Sequence, residues 1–135
     1  STMRYPDWVY DRLSATAESG FAPDGVNTLV SQIVALAEKA RREGILALED
    51  GIDEIGNSLL RFGIILVVDG NDPGIIGDIL CNTLFFQARE GDLLQNVVII
   101  EGILGIQEGI NPRTLSGRLM SFLGADAGMK AYTQT

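Results

Sequence analysis

A run of charged residues in the first third of the chain is the feature most suited to binding a partner. Basic and acidic side chains crowd residues 37–50, among them Lys39, Arg41, Arg42, Glu43 and Glu49. The apolar residues beside them keep helical spacing. The pattern predicts a charged helix face, anchored on a small core and presented to a partner. The alternative is an ordinary solvated helix face, which is what most charged runs form.

The sequence offers little for catalysis. It has no histidine, which removes the commonest general base and the commonest metal ligand. The single cysteine, Cys81, excludes an internal disulfide and a thiolate zinc cluster, and its apolar neighbours predict a small core residue. An enzyme would have to use carboxylates that the sequence does not pair, such as Glu43, Glu49, Glu54 or Glu101. We therefore expect no enzyme, no cofactor and no metal site.

Two further motifs favour structure over function. Asp69 and Asp72 flank a Gly-Asn pair, but the run lacks the remaining oxygen ligands of a calcium loop, so a turn with a helix cap is predicted. Asn111, Pro112 and Arg113 could form the turn of a DNA-binding helix-turn-helix motif. The net charge of −8, from 10 basic and 18 acidic residues, argues against nucleic acid and against an anionic membrane surface as the main partner.

Glycine and proline divide the chain into short helices that position these residues. We predict helices over residues 5–18, 24–42, 59–68, 73–80, 93–107 and 112–123. Valine and isoleucine runs within two of these segments could be strands on propensity alone, but their flanks indicate helix. No uncharged apolar stretch reaches the roughly 20 residues that a membrane helix needs. The prediction is an all-α, compact bundle of about five to six short helices.

Details of these helices are predicted as well. Gly44 permits a break after the second helix, and about one more turn follows it. Asp72-Pro73 and Asn111-Pro112 each read as a cap followed by proline at the first helical position. The helix over 93–107 is expected to be apolar on one side, and three glycines in this region indicate close helix packing. These glycines are Gly102, Gly105 and Gly109. The inner stripe of the last helix is expected to be Leu115, Leu119, Phe122 and Leu123.

Four segments of the chain carry a resemblance to a known family. They are residues 36–49 (LAEKARREGILALE), 60–63 (LRFG), 66–73 (LVVDGNDP) and 99–113 (IIEGILGIQEGINPR). The segments resemble the MotA family, the ion-channel stator subunit of the bacterial flagellar motor: the first three follow in the order seen in its large cytoplasmic loop, and the fourth is similar to its cytoplasmic tail. The resemblance is specific, because several short sequence motifs occur in the same order and at the same spacing as in the family.

The resemblance implies a division of the chain. Residues 3–22 are an N-terminal helical segment, 23–81 the MotA-like cytoplasmic loop, 82–92 a junction, 93–124 the C-terminal cytoplasmic helices and 125–135 a flexible tail. The family carries its third and fourth membrane helices at the junction, which is too short for the roughly 40 apolar residues of two crossings. We interpret the chain as the loop joined directly to the tail, expected to be soluble. A naturally truncated paralogue is the alternative.

The resemblance also implies a function. In the family, an arginine and a glutamate eight residues later contact the rotor protein FliG, and the motif assigns these roles to Arg41 and Glu49. Lys39, Arg42 and Glu43 would be auxiliary contacts. The intact protein would lie at the cytoplasmic face of the bacterial inner membrane, pair with a MotB-like subunit and form a ring. The rival interpretation is a helical adaptor or regulator without a motor role, which would place no demand on Arg41 and Glu49.

Three apolar residues stand where the family would lead us to expect more polar ones. These are Phe62, Ile64 and Ile65. If they are exposed they indicate a contact between subunits of a ring, and if they are buried they belong to the helical core.

Overall fold

The computed structural model describes residues 4–18, 24–86 and 90–134. The α-helices over these residues are α1 (Asp7–Glu18), α2 (Asp24–Glu43), α3 (Ser58–Val68), α4 (Pro73–Asn82), α5 (Glu90–Glu108), α6 (Pro112–Met120) and α7 (Ala125–Thr133). Three 3₁₀ segments follow α2, α4 and α6, at Ile45–Glu54, Thr83–Phe86 and Ser121–Leu123. No strand occurs in the described part of the chain. The all-α prediction is confirmed, with more helices than the five to six expected.

Helix α5 lies at the centre of the bundle. It packs against α1, α2, α3, α4 and α6. Every residue from Val97 to Ile106 is buried, so the helix is covered on all sides, whereas the sequence predicted an apolar stripe on one side. This position explains the strand-like run Val97–Ile100, because a helix that is apolar all round is stable once other helices surround it.

Glycines let neighbouring helices approach α5 closely. A Cβ on Gly102 would lie 2.7 Å from Ile33 Cγ2 of α2, and one on Gly105 would lie 2.5 Å from Leu115 Cδ1 of α6. The predicted packing role is therefore confirmed for these two glycines. It is wrong for Gly109, which follows α5 with a φ of 75° and ends the helix in the left-handed conformation that glycine adopts without strain.

Side-chain caps begin three of the helices. Asp72 accepts a hydrogen bond from the Ile75 amide at 3.0 Å, and Asn111 accepts one from the Arg113 amide at 2.9 Å. Both caps precede a proline, as the sequence predicted. Asn57 caps α3 in the same way through the Leu60 amide, at 3.0 Å. These caps satisfy amides that have no partner within the helix.

The chain turns sharply at Gly44, between α2 and the 3₁₀ segment Ile45–Glu54. Gly44 has a φ of 94°, and a Cβ there would meet nothing within 4 Å. The predicted break is therefore confirmed, and it is set by backbone conformation because no neighbour crowds the position. The segment that follows is longer than the single turn expected, and it packs against both α2 and α3.

The end of the chain differs from the prediction. Residues 125–135 were expected to be a flexible tail, but Ala125–Thr133 forms α7, which packs against α6. The two helices meet at glycines: a Cβ on Gly117 would lie 3.4 Å from the Gly128 carbonyl oxygen. A glycine-mediated contact of this kind leaves no apolar stripe for a pattern search to detect.

The predicted inner stripe of the last helix is partly wrong. Leu115 and Leu119 are buried as expected, but α6 ends at Met120 and Phe122 is exposed in the 3₁₀ segment after it. Leu123 is half-buried. The change from α-helical to 3₁₀ geometry rotates the last residues off the inner face.

The three apolar residues of α3 divide between core and surface. Ile64 is fully buried, whereas Phe62 and Ile65 are exposed.

Cys81, predicted to be a core residue, is half-buried and packs against the core.

An exposed aromatic pair lies within the junction. Phe85 and Phe86 are 76% and 97% exposed, and the Phe85 ring lies 5.9 Å from that of Trp8. We call Phe85 and Phe86 the aromatic end. The residues between the first two predicted helices, 19–23, and part of the junction, 87–89, lie outside the described residues. None of the helices in the described ranges is both long enough and apolar enough to cross a membrane.

Candidate partner-binding surface

The last turns of α2 carry the basic half of the predicted surface. Arg41, Arg42 and Glu43 are exposed and Lys39 is half-buried, while Ala37 on the opposite side is buried in the core. Arg42 Nη2 lies 3.5 Å from Glu43 Oε2. Both side chains are largely exposed, so this pair contributes at most about 1 kcal/mol and its charges can exchange partners at little cost. We call Lys39, Arg41 and Arg42 the basic end.

The segment after Gly44 carries the acidic half. Glu49, Asp50, Asp53 and Glu54 are all exposed, and Leu48 and the following Ile55 are buried beneath them. We call Ile45–Glu54 the acidic segment. The turn at Gly44 thus separates the end of α2, which holds Glu43 besides the basic residues, from an acidic element that packs against it. All five predicted site residues lie on this end of α2 or on the acidic segment.

An exposed leucine lies within the charged surface. Leu46 is 70% exposed and lines a cleft of about 490 Å³. The cleft runs between residues 43–46 and the end of α3, where Val67 and Val68 contribute apolar walls, and Gln107 of α5 closes it. We call it the Leu46 cleft. Sequence reasoning missed it, although one signal was present: Leu46 falls outside the helically spaced apolar set that includes Ile45 and Leu48.

Glu101 forms a second charged cluster, away from this surface. It is the one buried residue among the charged residues whose side chains the structure describes. Arg4 Nη1 and Tyr5 Oη both donate to Glu101 Oε2, the latter at 2.6 Å, and Arg118 Nη2 lies 3.6 Å from Oε1. The cluster joins the N-terminal segment to α5 and α6. Its signal in the sequence is a single carboxylate within the apolar run of α5.

Burial and charge shift the pKa values around this cluster. Burial raises the pKa of Tyr5 far above its ordinary value, and the Glu101 carboxylate beside it raises it further. Burial lowers the pKa of Arg4, but the hydrogen bond and the charge of Glu101 outweigh that effect and leave it raised. The pKa of Cys81 is raised by burial, in part offset by the nearby Arg4 charge. A cysteine held as a thiol is a poor nucleophile.

The four carboxylates that the sequence offered for catalysis lie in different surroundings. Glu43, Glu49 and Glu54 are exposed, and Glu101 is occupied by the two arginines and Tyr5. Across residues 4–18, 24–86 and 90–134, no group of three or more Cys, Asp or Glu side chains could hold a metal ion. The chemistry that the arrangement offers is electrostatic recognition at the surface, with an apolar cleft inside it.

Relatives of the chain are motility and chemotaxis proteins. The chain is 42% identical over 53 residues to motility protein A of Borreliella burgdorferi, a match that covers 39% of this chain and 20% of that protein. It is 24% identical to the chemotaxis protein PomA of Vibrio alginolyticus over 177 aligned positions, covering 76% of this chain and 69% of PomA. No family model matches the chain.

The second alignment contains more positions than the chain has residues, so PomA contains residues that this chain lacks between the matched parts. The chain spans about a fifth of the Borreliella protein.

The fold has a solved counterpart. A chain in the structure of C. jejuni MotAB matches with a TM-score of 0.64 and 20% sequence identity, covering 89% of this chain and 75% of that one. The structural match, at 20% identity, supports a shared fold. The sequence matches support common ancestry. The chain is therefore related to the MotA family of flagellar motor stator proteins.

Proposed function

We propose that this chain is the cytoplasmic region of a MotA-like stator subunit, which contacts the rotor protein FliG through charged residues and transmits torque from ion flow. The observation that carries the proposal is the bipolar surface around Gly44. The basic end and the acidic segment present opposite charges from two packed elements. The names of the relatives support a role in motility, and none of them names an enzyme.

Exposed charges suit an interface that must form and release quickly. Each surface ion pair is worth only about 0–1 kcal/mol, so single contacts break readily. Long-range attraction between complementary surfaces speeds re-engagement after each release. We assign the principal contacts to Arg41 and Glu49, which lie on the two sides of Gly44. Lys39, Arg42 and Glu43 are auxiliary contacts.

The remaining parts of the proposal concern the intact protein. There, a MotB-like subunit pairs with the chain's membrane portion, and copies of the chain form a ring at the cytoplasmic face of the bacterial inner membrane. The solved C. jejuni counterpart, which is named MotAB, supports the first part. In this arrangement the helical bundle acts as the lever between the membrane ring and the rotor.

The test is equilibrium binding of the chain to purified FliG at low and moderate salt. Arg41→Glu and Glu49→Lys should each weaken binding several-fold at low salt, and the difference should shrink at moderate salt because exposed charges are screened over about 10 Å at 0.1 M. Lys130→Glu in α7 and Asp78→Lys in α4 are matched controls, since both residues are exposed and the changes in net charge are identical.

Two results would count against the proposal. Equal effects of the site reversals and their controls would mean that net charge, and not this surface, governs binding. If neither the chain nor the intact membrane protein binds FliG, the adaptor interpretation is favoured, because it places no demand on Arg41 or Glu49.

A further inference from the structure

We infer that the Leu46 cleft takes up one apolar side chain of the rotor protein, from a segment whose charges complement the basic end and the acidic segment. This inference rests on the proposed function and deepens it, because it adds an apolar anchor to an interface otherwise described by charge. The partner's segment would present acidic groups toward Arg41 and Arg42, and basic groups toward Glu49 and Asp50.

The first observation is the exposure of Leu46 itself. At 70% exposed, it contributes nothing to the core, whereas its neighbours Ile45 and Leu48 pack inward. A single exposed leucine is ordinary on most surfaces. Here, however, it forms one wall of a cleft whose other side includes the buried Val67 and the half-buried Val68. An apolar group entering the cleft would cover the exposed Leu46 and the half-buried Val68 together.

The second observation is the distribution of charge around the cleft. Glu43 lines its edge and pairs with Arg42, which leads to the basic end. Along the chain after Leu46, the acidic segment exposes Glu49 and Asp50, and it packs on α2, which carries the basic end. Protein interfaces commonly have this anatomy, with an apolar centre that is buried on binding and a polar rim. Charge complementarity identifies the occupant as a protein segment of both signs with one apolar residue between them.

The two parts of such a surface have different physical roles. The charged rim sets the rate and orientation of encounter and weakens with salt. The apolar centre slows dissociation, and salt does not screen it. A contact built only from exposed charges would weaken as salt rises. An apolar anchor would preserve part of it without fixing the partner permanently.

The experiment measures FliG binding by four forms of the chain at two salt concentrations. Leu46→Ala removes the exposed wall, and Gln107→Trp narrows the cleft from its other side without changing charge. Ile75→Ala is the matched control, since Ile75 is an exposed aliphatic residue on α4 that does not line the cleft. Circular dichroism would verify that each variant keeps its helix content.

We expect Leu46→Ala and Gln107→Trp to weaken binding about tenfold, by the same factor at both salt concentrations, and Ile75→Ala to leave it unchanged. If Leu46→Ala equals the control while Arg41→Glu still weakens binding, the inference is wrong and the proposed function stands. If Leu46→Ala acts but Gln107→Trp does not, the leucine contacts the partner without occupation of the cleft, which also overturns the inference. If neither the unchanged chain nor the intact membrane protein binds FliG, both proposals are overturned.

Discussion

Glu101 illustrates how a charged side chain is retained inside an apolar helix. Its carboxylate accepts hydrogen bonds from Arg4 and Tyr5 and forms an ion pair with Arg118. These three partners from outside α5 offset the cost of burying the charge. Arg4 and Arg118 have side chains 37% and 45% exposed, so their own charges stay partly solvated. The carboxylate consequently links three parts of the chain at one point.

Replacing Glu101 should destabilise the fold. We expect Glu101→Ala to lower the free energy of unfolding by about 3 kcal/mol, because it removes the acceptor for a buried tyrosine hydroxyl and the counter-charge of two arginines. Glu108→Ala, at the exposed end of the same helix, should cost less than about 1 kcal/mol. Urea denaturation followed by circular dichroism measures both. Equal losses for the two variants would contradict the structural role of the cluster.

Tyr5 should make the protein sensitive to alkaline pH. Its pKa is raised in the folded state, so its stabilising contribution is complete below the unfolded value of about 10 and declines as pH rises from there toward the folded value. We expect Tyr5→Phe to reduce this decline in the free energy of unfolding. The measurement would run from about pH 9 to about pH 11.

The half-buried Cys81 also has a raised pKa, so the comparison is best made in a Cys81→Ser background. A decline that is the same in Tyr5→Phe as in the parent would refute the assignment.

At the scale of elements, local chemistry was predictable and long-range packing was not. The caps at Asp72 and Asn111 and the break at Gly44 depend on residues close in sequence, and the structure confirms them. The existence of α7 depends on which helix comes alongside it, and neighbouring residues carry little information about that. The turn at Gly109 is local, and it was predicted from the Gly-Ile-Asn-Pro run at residues 109–112.

The candidate site divides in the same way. The charged residues of the surface could be read from the sequence, since solvated charge is a local property. The Leu46 cleft could not, because its walls come from α3, α5 and the acidic segment. Likewise, the sequence presented Glu101 as an unpaired carboxylate, since its partners are 96 and 97 residues before it in the chain or on a following helix.

The contact of α5 with α2 should tolerate no added volume. We expect Gly102→Ala to destabilise the fold by about 1–3 kcal/mol, because the new methyl group would lie 2.7 Å from the β-branched Ile33, and this outweighs the roughly 1 kcal/mol gained in helix propensity. Gly77→Ala is the control: its methyl group would lie 4.0 Å from Leu104, so the propensity gain should dominate. Thermal unfolding compares the two, and a destabilised Gly77→Ala variant would contradict this account.

The whole molecule is organised around one buried helix, with its charged surface and its aromatic end on different elements. Five helices pack on α5, which gives the surface elements a common support. The basic end lies on α2, and the acidic segment packs on α2 and α3, so both are held by helices that contact α5 directly. A force applied to the charged surface would therefore pass through α2 and α3 to α5 and the core around it. The lever role proposed above needs such a support.

The aromatic end and the net charge together give the molecule two opposite responses to ionic strength. At low salt, the charge of −8 keeps copies of the chain apart. Added salt screens that repulsion and leaves the exposed rings of Phe85 and Phe86 free to meet. We expect sedimentation to show more self-association as salt rises, and less of this increase in a Phe86→Ser variant. An increase that Phe86→Ser does not reduce would exclude the aromatic end as its cause. Added salt would thus weaken the binding of the charged surface to a charged partner and would, at the same time, promote association between copies of the chain.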